Sequence, residues 1–88
     1  MPPYRSLDFT SEFMDALSDL GQVEQRRIRA ALLRLDADDR HPSLRVHQLQ
    51  GDLAGQWSAS ASDNLRITFE RQPNGRKLLV GCSRHYGD

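Results

Sequence analysis

The segment Gln48–Phe69 reads QLQGDLAGQWSASASDNLRITF and divides at Asp63-Asn64 into two runs of alternating polarity. In the first, Trp57, Ala59 and Ala61 alternate with Ser58, Ser60 and Ser62. In the second, Leu65, Ile67 and Phe69 alternate with Arg66, Thr68 and Glu70. Period-two alternation on both sides of an Asp-Asn turn predicts a half-buried antiparallel hairpin, one face on a core and the other presenting hydroxyls and a guanidinium. Arg66 is a cation in mid-strand, its direction set by the apolar residues on either side. Gly51 and Gly55 mark a short polar loop ahead of the hairpin.

Upstream, Tyr4 to Phe9 reads as a first strand. Thr10 or Ser11 can cap a helix carrying Glu12 in its first turn, where the helix dipole favours a carboxylate. Phe13, Met14, Leu17 and Leu20 form its apolar stripe, and Gly21 suits its end. A second helix is expected from about Gln22 to Asp36, with Ile28, Ala31, Leu32 and Leu35 on one face. Its arginines Arg26, Arg27, Arg29 and Arg34 read as a solvated face. Asp36 to Pro42 is an acidic, proline-ended loop, and Leu44 to Leu49 a brief strand. Downstream, Pro73-Asn74-Gly75 signals a tight turn of type I′. The run Leu78-Leu79-Val80 in the last strand, Lys77 to Cys82, suggests burial on both faces. The order β-α-α-β-β-β gives an α+β domain: an N-terminal strand, a helical hairpin over residues 10–37, then a three- to four-strand antiparallel sheet.

Eighty-eight residues make one domain, 1–88. So short a chain buries only about 60–65% of its unfolded surface, so each large apolar side chain counts. Charged residues at 27% exclude a disordered chain, and no apolar run nears the length of a membrane span. Cys82 is the only cysteine, so no internal disulfide forms; with no signal-peptide pattern, the expected home is a reducing cytoplasm. The net charge of zero argues against indiscriminate polyanion binding. The charge is nevertheless split. Residues 1–44 carry six Arg and eight acids, a net of −2, and residues 45–88 five Arg, one Lys and four acids, a net of +2. The positive excess falls in the half predicted to be sheet. Three histidines and one cysteine lack metal-ligand spacing, so neither metal nor cofactor is expected.

The glycine followed by Trp57-Ser58, the Asp63-x-Leu65-Arg66-Ile67-x-Phe69 strand, the preceding His41-Pro42-Ser43-Leu44-Arg45-Val46-His47 and the late Leu78-Leu79-Val80-Gly81 together resemble the RelE/ParE superfamily of bacterial toxins. The resemblance is nearest to the RelE, YafQ and HigB branches. It covers nearly the whole chain in layout, with its specific motif between His41 and Phe69.

The resemblance implies a type II toxin. Its activity would be metal-independent cleavage of mRNA, on the ribosome, with inhibition of translation, and a cognate antitoxin would hold it in a hetero-oligomer. The family's arginine after the "D-x-L" element matches Arg66. Lysines of RelE itself fall near Ser58 and Ser60, which leaves those two as phosphate-contacting hydroxyls. Histidine-using relatives place a histidine soon after the glycine ending the last strand, and many relatives end in tyrosine. Here Gly81 is followed by Arg84-His85-Tyr86, the same residue types at a shifted spacing. Metal-free RNA cleavage needs a base for the 2′-OH, cations for the phosphorane and an acid for the leaving 5′-oxygen. Arg66, His85, His47, Arg84 and Tyr86 are the expected catalytic groups, and Arg45, Ser58 and Ser60 the expected phosphate contacts. Arg45, Arg66 and Arg84 are expected on one shared face. Two alternatives stay open: a non-catalytic, gyrase-inhibiting ParE-like toxin, and a degenerate member that only binds an antitoxin. The serines at positions 58 and 60 and the neutral net charge suit the second.

Overall fold

The computed structural model describes residues 4–85. Strand β1 (Leu7–Phe9) leads into helices α1 (Ser11–Ser18) and α2 (Gln22–Ala37), followed by strands β2 (His47–Gln48), β3 (Gln56–Ser62), β4 (Leu65–Arg71) and β5 (Lys77–Arg84). The sheet order is β1-β5-β4-β3-β2. Neighbours run antiparallel except β1, which lies parallel to β5. The sheet thus has five strands and is mixed: the four antiparallel strands expected after the helices, with the N-terminal strand added in parallel at one edge. The reason is the helical hairpin: it returns the chain to the far side of the sheet, so β1 ends up at an edge beside the last strand.

Local chemistry explains the element boundaries. Thr10 caps α1, its Oγ1 accepting from Phe13 N at 3.0 Å while donating to Leu79 O at 2.8 Å, which ties the helix start to β5. Gly21 begins α2 rather than ending α1; the Glu24 carboxylate accepts from Gly21 N at 2.9 Å and closes the first turn. Strand β1 is shorter than Tyr4–Phe9 because Asp36, at the end of α2, accepts from Arg5 N (2.9 Å) and Ser6 N (2.7 Å). Instead of a strand from Leu44, Pro42–Leu44 forms a 3-10 turn, and Arg45 follows with a left-handed φ of 47°. That turn leaves only His47 and Gln48 to pair with β3.

The β4–β5 turn also departs from expectation. A type I′ turn needs positive φ at both central residues, and only Gly75 has it (87°). Gly75 N donates to Gln72 O and Gln72 N to Arg76 O, so Pro73-Asn74 form an ordinary turn closed by a left-handed glycine. Arg76 then clamps β1: its Nε and Nη2 donate to the Asp8 carboxylate (2.8 and 2.9 Å), and Nη1 to Arg5 O (2.8 Å).

The helices cover one face of the sheet. Phe13, Leu17 and Leu20 of the α1 stripe and Ile28, Ala31, Leu32 and Leu35 of α2 share a core with Leu7, Leu44, Ala59, Leu65, Ile67, Phe69, Leu79 and Cys82. The hairpin residues thus point inward as their alternation predicts. Trp57 is half-buried against the core, with the Arg71 guanidinium 4.2 Å from its ring centre. Strand β5 is different. The register jumps from Thr68–Gly81 to Phe69–Leu79, leaving Val80 as an extra residue. This bulge reverses the inward-outward parity, so Leu79 and Cys82 face the core while Leu78 and Val80 are half-buried. The expected burial of β5 on both faces, and of Val80 in the core, is not found. Among the described residues no helix is long and apolar enough to cross a membrane.

Candidate functional site

The sheet face away from the helices carries the polar half of each alternating strand. Register places Ser60, Arg66 and Ser83 in one row across β3, β4 and β5, and His47, Ser58, Thr68 and Gly81 in the next. Cross-strand partners project to the same side, so each row is a set of neighbouring side chains.

Beyond β5 the chain turns over the end of this face. His85 N donates to Asn64 O at 2.6 Å, in the β3–β4 turn, and this pins the histidine above Arg66. The Arg66 Nη2 and His85 Nε2 atoms are 3.0 Å apart. A guanidinium has no acceptor, so a hydrogen bond between the two uses Nε2 as the acceptor, which requires the ring proton on Nδ1. A permanent cation and an imidazole with a lone pair therefore sit together on an open surface.

The remaining expected site residues are dispersed. His47 is exposed, its Nδ1 2.9 Å from Arg45 O. It lies on β2, two strands from β4 and one row along, which puts its backbone roughly 12 Å from that of Arg66. Ser60 is half-buried beside Arg66, whereas Ser58 is only 1% exposed and poorly placed for a large ligand. Tyr86 lies outside the described residues.

Arg84 is on the other side. The Val80 bulge turns it toward the helical face, where Nε and Nη2 each donate to the Glu24 carboxylate at 2.7 Å. The hydrogen bond from Arg84, then that from Gly21, holds the Glu24 carboxyl below its usual range. Arg84 and Arg66 therefore do not share a face, and the expected trio with Arg45 is broken. Alternation counted from Leu79 without the bulge puts Arg84 on the wrong side.

Arg45 is exposed on the turn after Pro42–Leu44. It borders a polar pocket at the β3 edge together with Ser43, Ser60, Ser62, Asp63 and Arg34. Arg34 is the residue that sequence reasoning missed. Helical periodicity assigns it to the solvated side of α2, and only the return of residues 38–45 past the helix end brings Arg45 beside it.

Other reactive types are unavailable for chemistry. Burial pushes the Cys82 thiol up to about 11, so it stays protonated as a core residue. Among the described residues no three His, Cys, Asp or Glu side chains converge as a metal site would require. The strongest cation-carboxylate contacts elsewhere are structural. Arg71 holds Asp39 at 2.7 Å, and this contact keeps the Asp39 carboxyl low. On the helical side an apolar groove of about 700 Å³ is lined by Tyr4, Phe9, Met14, Leu17, Leu32 and Leu33, with Arg29 at its rim. Met14 and Leu33 are 47% and 54% exposed there, high for apolar side chains.

No family model and no curated protein matches the sequence. Solved structures do match the fold. A YoeB/ParE toxin from Agrobacterium tumefaciens superposes with a TM-score of 0.72 at 19% identity, over 93% of this chain and all of that one. YafQ from E. coli strain BL21(DE3) gives 0.74 at 10% identity, covering 91% and 92%. The archaeal RelE-RelB complex from Pyrococcus horikoshii OT3 gives 0.72 at 14% identity, covering 98% and 100%. Across such low identities the shared property is the arrangement of helical hairpin and mixed sheet: the chain has the fold of the RelE, YoeB and YafQ toxins.

Proposed function

We propose that this protein is the toxin of a type II toxin-antitoxin pair, a metal-independent endoribonuclease that cuts mRNA on the ribosome and so blocks translation. The observation that carries the reading is the Arg66–His85 contact on the open sheet face. An incoming phosphate competes for the Arg66 guanidinium, which grips two anionic oxygens through its planar fork. His85 Nε2 is thereby released, and its lone pair takes the proton of the adjacent 2′-OH. The 2′-oxygen attacks phosphorus as the bond to the 5′-oxygen breaks. Arg66 steadies the extra negative charge of the phosphorane, which is greatest in the transition state. A proton returned to the 5′-oxygen completes a balanced transesterification, leaving a 2′,3′-cyclic phosphate and a 5′-hydroxyl. His47 and Arg45 contact flanking RNA at the sheet edge.

The partner is a small antitoxin. The Pyrococcus RelE neighbour is solved together with RelB. In this chain the apolar groove with exposed Met14 and Leu33 is the surface a partner's apolar side chains would cover.

One observation favours a second reading, a toxin fold that binds its antitoxin without cutting RNA. Arg84 is paired with Glu24 on the helical side, and serines occupy positions 58 and 60, so the open face carries few cations around Arg66. Mapping mRNA 5′ ends after induction in cells separates the two. New 5′ ends with the parent and none with Arg66→Ala support the nuclease; a parent that leaves mRNA intact supports the second reading.

A further inference from the structure

We infer that the pocket at the β3 edge is a second phosphate subsite, which holds a backbone phosphate of the RNA strand whose scissile phosphate sits at Arg66. The inference rests on the nuclease reading above and adds to it a separate binding element, built largely from residues that reading does not use.

Four observations converge. The pocket has a volume of about 410 Å³, within the range of small-ligand sites. Two guanidinium-bearing residues from different elements border it: Arg34 in the last turn of α2 and Arg45 in the cap after Pro42–Leu44. Neither forms an ion pair among the described residues, whereas Arg71, Arg76, Lys77 and Arg84 each hold a carboxylate. Two like charges brought to one pocket repel, and a bound anion removes that cost. The hydroxyls of Ser60 and Ser62 add neutral donors around the same space, whereas that of Ser43 is held by His41 Nδ1 at 2.8 Å.

The sheet edge is open at this point. β2 pairs only with Trp57 and Ser58, so the Ser60–Ser62 end of β3 has no outer strand, and a bulge at Ala61 distorts it further. Ser60 is the register partner of Arg66, which places the pocket wall one strand spacing, about 4.8 Å, from the catalytic row. A single strand laid across β4 and β3 would thus present one phosphate to Arg66 and a nearby one to the Arg34–Arg45 pocket. Asp63 also borders the space, so the ionised side chains around it sum to +1 (two arginines less one carboxylate), and it lowers affinity for an anion.

The test is a phosphate-neutralisation scan. Single-stranded RNA 12-mers, 2′-O-methylated throughout so that they cannot be cut, carry one neutral methylphosphonate at successive positions. Binding is measured by fluorescence anisotropy, and folding of each variant is checked by circular dichroism. With the parent, two positions should be sensitive, each weakening binding about tenfold or more, the scale of one charge-assisted hydrogen bond. In Arg34→Gln/Arg45→Gln one sensitive position should disappear while the other persists; Arg66→Gln should show the reverse. The slope of log affinity against log salt should fall by about 0.7 in the double variant, the value for one phosphate on a single strand. Asp63→Asn should tighten binding. A single sensitive position in the parent, or two that both survive in the double variant, overturns the subsite and leaves the nuclease reading standing. A parent that binds no RNA overturns both.

Discussion

The Arg66 guanidinium lies 3.0 Å from Nε2 of His85, a residue 19 positions later, held there because His85 N bonds the carbonyl of Asn64. The contact joins the start of β4 to the chain leaving β5, and as a hydrogen bond it uses Nε2 as the acceptor. Because the two side chains act on one another, their substitutions should not be additive. Arg66→Ala should lower cleavage by about 10²–10³-fold, the cost of losing one transition-state charge partner, with fold and antitoxin binding retained. His85→Ala should cost about 10²-fold or more. The double variant should fall well short of the product of the two, as measured by single-turnover cleavage. Arg66→Lys should recover only part of the rate, since an ammonium cannot grip two oxygens in one plane. Full activity in Arg66→Ala would remove this pair from the mechanism.

Arg84 should behave as a structural residue. Its bidentate hold on Glu24 links the end of β5 to the start of α2. Arg84→Ala and Glu24→Gln should each lower the thermal midpoint while leaving the cleavage rate near the parent's. A fall in rate without a fall in stability would place Arg84 in the chemistry after all.

The core predicts larger losses. Phe69 and Leu32 are 0% and 2% exposed, packed between helices and sheet. Phe69→Ala should cost about 3–5 kcal/mol and Leu32→Ala about 2–5 kcal/mol in urea unfolding. Val80→Ala should cost clearly less than either, because the bulge removes Val80 from the buried set.

Acid should unfold the domain through particular carboxyls. For Asp36, partial burial works to raise the carboxyl, but hydrogen bonds from Arg5 N, Ser6 Oγ and Ser6 N outweigh it and hold the group low. For Asp39 the hydrogen bond from Arg71 does the same, against a smaller burial effect. A carboxyl lowered on folding binds fewer protons in the native state, so its stabilisation is present above the unfolded value, about 3.9, and is lost as pH falls through the lower native one. Asp36→Asn and Asp39→Asn should each lower stability at pH 7 and flatten its decline between about pH 5 and 2. Parallel acid curves for parent and variants would show that other groups dominate.

The groove predicts partner binding. Met14→Asp and Leu33→Asp place charges at half-exposed positions, where the fold should tolerate them. On the proposed toxin reading, each should weaken binding of the protein's antitoxin by about tenfold or more, since burying an unpaired carboxylate in an apolar interface is costly. Unchanged affinity would move the partner's docking surface elsewhere.

Much of the fold was legible in the residues themselves. The period-two runs on either side of Asp63-Asn64 and the helical spacing of Ile28, Ala31, Leu32 and Leu35 state which side chains must leave water; Ala59, Leu65, Ile67, Phe69 and the four helix residues form the core, with Trp57 and Ala61 half-buried against it. Arg66 could be read as outward-facing from the same alternation. Patterns of this kind follow from strand and helix geometry alone and require no knowledge of distant neighbours. What tertiary structure decided lies where pairing across the chain overrides local period. The parallel docking of β1 on β5 depends on Asp36 and Arg76, 30 or more residues from the segments they hold. The Val80 bulge exists only in register with Thr68 and Phe69, and it sends Arg84 to the helices instead of the open face. Arg34 and Arg45 meet because the chain doubles back after α2. Local sequence sets which face a side chain takes within its own element; the register between elements sets which charges finally meet.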